Sequence, residues 1–282
     1  MRLILLTAFT MCAFASNSLL TRAAVEGGHI DPVTFAVLRV LSGAVILAAL
    51  VLGQGGRLPL KGRATAIGAS SLAVYMIGFS LAYVTLDAGL GALILFGVVQ
   101  ITMFLYAALR GTRPTPRQIS GAAVAFLGLG IALWPAGETP TNLAGAAFMT
   151  LAGLGWAAYT ICGKEAANPL AATAANFCMC LPILCVLLFP WLQAATLWGV
   201  VLAFVCGAVT SGLGYALWYR VLPGLQQSTA AVVQLSVPII AILSGAALLG
   251  ERLTWDVLVA AALVVAGIGW AVTLRSVPTR RS

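Results

Sequence analysis

The sequence predicts an all-α polytopic membrane protein: ten transmembrane helices forming two inverted five-helix repeats, with both termini cytoplasmic. Three observations lead there. Ten apolar stretches of about twenty residues follow one another, with charge almost confined to the gaps between them. The 282-residue chain is 61% hydrophobic and only 8% charged, with a mean hydropathy of +1.05. The second half also repeats features of the first at a fixed offset. A run of 18 or more apolar residues can cross the ~30 Å hydrocarbon core as a helix, and in lipid only helices or closed barrels satisfy the backbone. A water-soluble fold would have to bury all ten runs in one core, which a chain of this length cannot do.

The spans fall at 3–22, 32–52, 64–86, 89–109 and 116–134 in the first half, and at 142–162, 170–190, 197–219, 226–249 and 254–274 in the second. Met1-Arg2, the apolar run and Ala13-Phe14-Ala15 have the outline of a cleaved signal peptide. Apolar residues continue to Leu20, however, and the segment has a counterpart in the repeat, so it is read as a retained span. Pro32 and Pro169 mark the starts of the second and seventh spans, since a helix tolerates proline in its first turn. The gaps are short, so neighbouring helices run antiparallel and no soluble domain is present. The expected organisation is a first repeat at 1–137, a second at 138–275 and a cytoplasmic tail at 276–282.

Orientation follows from the basic residues. One set of loops carries Arg2; Arg57, Lys61 and Arg63; Arg110, Arg113 and Arg117; Lys164; Arg220; and Arg275, Arg280 and Arg281. The opposite set carries Arg22 and Arg252 alone. Lys and Arg accumulate on the cytoplasmic side, so the expected location is the cell inner membrane with N- and C-termini inside. The net charge of +8 is this orientation signal and points to no nucleic acid. Cys12, Cys162, Cys178, Cys180, Cys185 and Cys206 lie in or beside spans without metal or disulfide spacing, and His29 stands alone in a loop. No metal, cofactor or P-loop is expected.

An offset of 139 residues carries Asp87–Gly130 onto Gln226–Gly269 without gaps. Gly111-Thr112-Arg113 meets Gly250-Glu251-Arg252, Thr115 meets Thr254, and Gly128 and Gly130 meet Gly267 and Gly269. Upstream, Asp31-Pro32 matches Asn168-Pro169 and Arg22 matches Lys164. Five spans per half is an odd number, so the second half enters the membrane from the other side. Inverted-topology repeats characterise secondary transporters, whose substrate site lies near the midplane between the repeats.

The segment Pro238–Gly269, with its Gly250-Glu251-Arg252-Leu253-Thr254, and the stretch Gly155-Trp156-Ala157-Ala158-Tyr159 resemble the EamA-type drug/metabolite transporter superfamily. The likeness extends over the whole chain and is greatest to the aromatic amino acid exporters. The first half departs from the pattern, with Val99 in place of proline and Thr112 in place of glutamate. The resemblance implies a ten-helix fold and export or exchange of small metabolites, amino acids prominent among them.

Ionisable residues within a span are functional hypotheses by default, and here there is one. Arg39 lies seven residues into the second span, roughly 10 Å from its external end. Its planar fork of donors suits a substrate carboxylate; the alternative is snorkelling to the headgroups beside Asp31 or Asp87. The repeat places Asn176 opposite it. All seven carboxylates are placed in loops or at helix ends, which favours facilitated diffusion or exchange over proton coupling. Asn17, Gln100 and Gln234 are further polar residues at depth. Pro238 leaves the Gln234 carbonyl without its helical donor, and Pro182 does the same to Cys178, so both prolines are candidate hinges. Tyr75, Phe79 and Tyr83 share a helical face, as do Trp156 and Tyr159 and, beside Arg220, Tyr215, Trp218 and Tyr219. The last group reads first as an interfacial aromatic belt, with a cavity lining as the other reading.

The function expected is that of a secondary transporter, not an enzyme: an exporter or facilitator of amino acids or similar small metabolites, aromatic ones favoured, working by alternating access. The expected substrate-binding set is Arg39, Asn176, Asn17, Gln100, Gln234, Trp156, Tyr83 and Tyr215. Expected partners are a small-molecule substrate and the lipid bilayer, with no ATP-binding domain; a monomer is compatible with this reading. The alternatives are an exchanger of nucleotide sugars or phosphate esters, which needs more cations, and a multidrug exporter, which needs a buried carboxylate.

Overall fold

The computed structural model describes residues 1–111, 115–133, 142–163, 166–221 and 233–272. All regular structure among them is helical. The elements are α1 (Arg2–Val25), α2 (Pro32–Gly53), α3 (Arg63–Ala82), α4 (Ala88–Leu109), α5 (Pro116–Leu133), α6 (Leu143–Gly163) and α7 (Pro169–Leu188). After a short 3₁₀ turn come α8 (Leu197–Phe204), a π-helical segment (Val205–Leu213) and α9 (Gly214–Val221), which run on from one another. Last are α10 (Ser236–Leu249) and α11 (Trp255–Val272). Among the described residues six helices are long and apolar enough to cross a membrane: Arg2–Val25, Pro32–Gly53, Arg63–Ala82, Leu143–Gly163, Pro169–Trp191 and Leu197–Trp218. Four shorter apolar stretches accompany them: Ala88–Met103, Ile119–Gly128, Ser236–Leu249 and Trp255–Trp270.

The matched segments take the same local form. Asp31 caps α2, its Oδ1 accepting from the Val33 and Thr34 N–H groups at 3.0 Å, and Asn168 caps α7 by accepting from Ala171 N–H at 3.1 Å. Gly111 and Gly250 both take positive φ, +86° and +68°, where glycine alone is unstrained. The offset of 139 that joins them also carries the bounds of α5 onto those of α11.

The last helices of the two halves, α5 and α11, pack closely on each other. Along α5 and α11, Gly128 lies against the Ala260 carbonyl and Val264, while Gly267 lies against the Gly121 carbonyl and Ala125. Elsewhere α2 packs on α7, α3 on α6 and α7, α1 on α10 and on the α8–π–α9 rod, and α4 on α6 and α10. Glycines again set the approach, with Gly155 of α6 meeting the α3 backbone at Ser71 and Tyr75. The outward faces carry large apolar side chains such as Val45, Leu105, Phe126, Leu151 and Leu243, as lipid contact requires.

The eighth span differs from expectation. It is not one regular α-helix: nine residues adopt the wider π-helix, a form found mostly at functional sites. The ninth span is interrupted at Leu235, so Pro238 sits in the first turn of α10 where its missing N–H is harmless. Pro182 lies inside α7, which continues through it. Residues 226–232, Thr112, Arg113, Glu138, Lys164, Glu165 and the tail lie outside the described residues.

Candidate functional site

Arg39 of α2 organises the interior. It is wholly buried, 0% exposed, so the snorkelling alternative does not hold. Its Nε donates to Ser211 Oγ at 3.1 Å and its Nη2 to Tyr75 Oη at 3.1 Å. The guanidinium carbon lies 4.9 Å from the Phe79 ring centroid and 5.4 Å from that of Tyr75, within cation–π range. Nη1 has no hydrogen-bond partner. Among the described residues no carboxylate contacts it: Asp31 caps its own helix and Asp87 pairs with Arg22 at 3.4 Å.

The partners come from elements brought in by packing. Ser211 belongs to the π-helical segment, which closes on α2 because Gly207 lies directly against the Arg39 carbonyl. Asn17 of α1 anchors the same segment. Its Oδ1 accepts from Thr210 Oγ1 at 2.8 Å, Ser211 Oγ at 3.0 Å and Cys206 Sγ at 3.4 Å. Ser211 therefore receives the Arg39 N–H and passes its own proton to Asn17, joining three helices through one hydroxyl.

Aromatic rings flank the guanidinium. Trp156 lies 5.0 Å from Tyr75, 5.3 Å from Tyr159 and 5.2 Å from Tyr215, centroid to centroid. Tyr215 also meets Phe14 at 5.6 Å and Phe177 at 6.0 Å. At 4% exposure it belongs to the interior, which corrects the belt reading for this residue.

Of the expected site residues, Arg39, Asn17, Trp156 and Tyr215 thus converge. Tyr83 stands one ring further along α3, edge-on to Phe79 at 4.8 Å, with its hydroxyl donating to the Ala88 carbonyl at 3.3 Å. Asn176 is buried with its amide over Gly68 of α3. Gln100 is buried in α4 and Gln234 half-buried ahead of α10, and no hydrogen bond joins either to the Arg39 group. Ser211, Thr210, Tyr75 and Phe79 were absent from the expected set. Tyr75 and Phe79 were legible as an aromatic face, whereas Ser211, among Gly207, Gly212 and Gly214, carries no sign of a distant partner in the sequence. Among the described residues no cluster of three or more His, Cys, Asp or Glu is placed to hold a metal.

A second polar group sits where α1 ends and α4 begins. Arg22 reaches Asp87 at 3.4 Å, Glu26 at 3.9 Å and the Tyr83 carbonyl at 3.1 Å. Glu251, in the turn between α10 and α11, accepts from the Ala88 N–H at 2.6 Å and the Gly89 N–H at 3.4 Å. Burial pushes the Glu251 carboxyl above its usual range; the two N–H groups and Arg22 oppose this, and Asp87 adds to it.

The chain is similar to known proteins over nearly its full length. An uncharacterized protein of Pseudomonas aeruginosa is 46% identical over 270 residues, covering 95% of this chain and 93% of that one. An uncharacterized transporter of Archaeoglobus fulgidus is 26% identical over 251 residues, covering 85% and 88%. A solved crystal structure shares the fold with a TM-score of 0.70 at 16% identity, covering 96% of this chain and 97% of that one. The EamA-like transporter family matches twice, at residues 1–134 and 143–273. Apolar helices packed around a buried cation and a family match in each half agree: the chain is a multi-pass membrane protein that belongs to the EamA-like transporter family.

Proposed function

We propose that the protein is a secondary transporter, an exporter or facilitator of amino acids or similar small organic solutes, aromatic ones favoured, that works by alternating access around Arg39. One observation carries this reading: a fully buried guanidinium, framed by rings, with one N–H edge unsatisfied and no carboxylate opposite it among the described residues. A buried charge without a counter-ion is expensive unless something supplies one, and a substrate carboxylate does so while its side chain meets Tyr75, Trp156 and Tyr215. Asn17 and Asn176 border the site. In this reading Tyr83, Gln100 and Gln234 bind along the path rather than at Arg39, and the interruption at Leu235 ahead of Pro238, with the proline inside α7, Pro182, gives the helices room to move.

The ten-span inverted arrangement is supported by reciprocal packing. Exchanging the halves turns α3 on α6 into the eighth-span rod on α1, and α4 on α6 into α10 on α1, both of which occur. The pairs α2–α7 and α5–α11 map onto themselves. The charge bias then puts the protein in the inner membrane with both termini cytoplasmic. The phosphate-ester alternative finds one cation where several are needed, and the cationic-drug alternative finds no buried acid at the site.

The test is counterflow with purified protein in proteoliposomes, using labelled aromatic carboxylates, amino acids included, against L-leucine and empty liposomes. Uptake is expected to rise with unlabelled solute inside. Arg39→Gln is expected to lower it about 10- to 100-fold, from the roughly 1.5–3 kcal/mol of a hydrogen bond to a charged group. Unchanged exchange by this variant would move the site elsewhere.

A further inference from the structure

Resting on that transport reading, we propose that the Arg39 site selects a solute of net charge −1, an aromatic monocarboxylate without an ammonium group, over a zwitterion. The site has donors to give and few acceptors. Arg39 Nη1 is unpartnered, and Tyr75 accepts from Nη2 while its own phenolic proton enters none of the hydrogen bonds seen here. These two donors suit the two oxygens of one carboxylate. An ammonium, by contrast, brings three donors of its own. The acceptors that hold Arg39 and its partner Ser211 are committed: Asn17 Oδ1 takes three donors, Ser211 Oγ takes Arg39 Nε, and Tyr75 Oη takes Nη2. The Phe79 and Tyr75 rings that face the guanidinium already hold a cation. Asn176, on α7, contributes a neutral amide and no charge.

The charge balance points the same way. Among the described residues the carboxylates are Glu26, Asp31, Asp87, Glu251 and Asp256, all in turns or at helix ends. A monocarboxylate makes the loaded site neutral. A zwitterion leaves it at +1 and sets its ammonium near the Arg39 charge in a low dielectric. The rings of Trp156, Tyr159 and Tyr215, which meet one another through Trp156, supply the apolar faces that a flat apolar body would stack on.

This assignment has an energetic consequence. One negative charge leaves the cell per turnover, so a membrane potential negative inside drives export without a coupling ion. That accounts for a carrier in which no described residue places an acidic group beside the buried arginine, since a proton-carrying side chain is then unnecessary.

The experiment compares labelled 3-phenylpropanoate, L-phenylalanine and 2-phenylethylamine in wild-type proteoliposomes at neutral pH, with empty liposomes subtracting passive entry. Counterflow is expected to favour 3-phenylpropanoate at least tenfold over L-phenylalanine and to ignore 2-phenylethylamine. A potassium diffusion potential, positive inside, is expected to accumulate 3-phenylpropanoate towards about 50-fold, the equilibrium for one charge across 100 mV. L-Phenylalanine carried as fast as 3-phenylpropanoate, or uptake of the anion indifferent to the potential, overturns the charge assignment and leaves the transport reading standing. Failure of folded protein to exchange any of the three overturns the transport reading itself.

Discussion

Arg39 is held by two neutral oxygens and two rings, an arrangement that fixes its orientation without neutralising it. Ser211 matters most here because one hydroxyl serves both Arg39 and Asn17. Replacing it with alanine leaves Nε without its acceptor in a buried setting, which costs roughly 1–3 kcal/mol. Ser211→Ala is therefore expected to lower the thermal unfolding midpoint in detergent; a midpoint equal to wild type would show that water or a neighbour replaces the hydroxyl. Arg39 was legible in the sequence as the one charge within an apolar span. Ser211 was not, for a physical reason. Hydroxyls in helices commonly satisfy themselves on the carbonyl four residues back, as Thr7, Thr10, Thr102, Thr150 and Thr160 do here. A serine in a span therefore gives no sign of a partner on another helix until packing supplies one.

At the scale of the element, glycine positions separate packing from mere tolerance. Gly128 and Gly130 lie two residues apart on α5, yet a Cβ at Gly128 would meet the Ala260 carbonyl at 2.9 Å while one at Gly130 would meet nothing within 4 Å. Gly128→Ala is expected to destabilise by about 1–3 kcal/mol through overpacking. Gly130→Ala is expected to be neutral or to stabilise by about 0.5–1 kcal/mol through helix propensity. Unfolding midpoints of the two variants check this, and equal shifts would remove α5–α11 contact as the cause. The matched caps and positive-φ glycines were readable from the sequence because they depend on local chemistry. The π-helical segment was not, since its wider winding depends on α2 approaching at Gly207 and on Asn17 gathering Cys206, Thr210 and Ser211.

Across the whole molecule, Glu251 links the two halves by capping α4 from the α10–α11 turn. Burial raises its pKa in the folded state. A carboxyl raised in this way binds its proton more tightly folded than unfolded, so its contribution to stability is greatest at acid pH. It is lost as pH rises through the folded value. Glu251→Gln is expected to remove that decline: as pH rises from about 4 to 7 the unfolding midpoint of wild type should fall relative to the variant. Parallel profiles would show that the N–H groups of Ala88 and Gly89, with Arg22, outweigh burial.

The sequence by itself determined the class of protein, the one charge within an apolar span and the local likeness of the two halves. Those properties follow from hydropathy, from the high energy of a charge in lipid and from short-range capping, all of which act within a few residues along the chain. Only the tertiary structure decided what surrounds Arg39. Its oxygens come from α3 and the eighth span, its rings from α3, α6 and α9, and its anchor from α1. Which side chains on those helices face one another depends on packing between segments up to about two hundred residues apart in sequence, which no periodicity along a single span encodes.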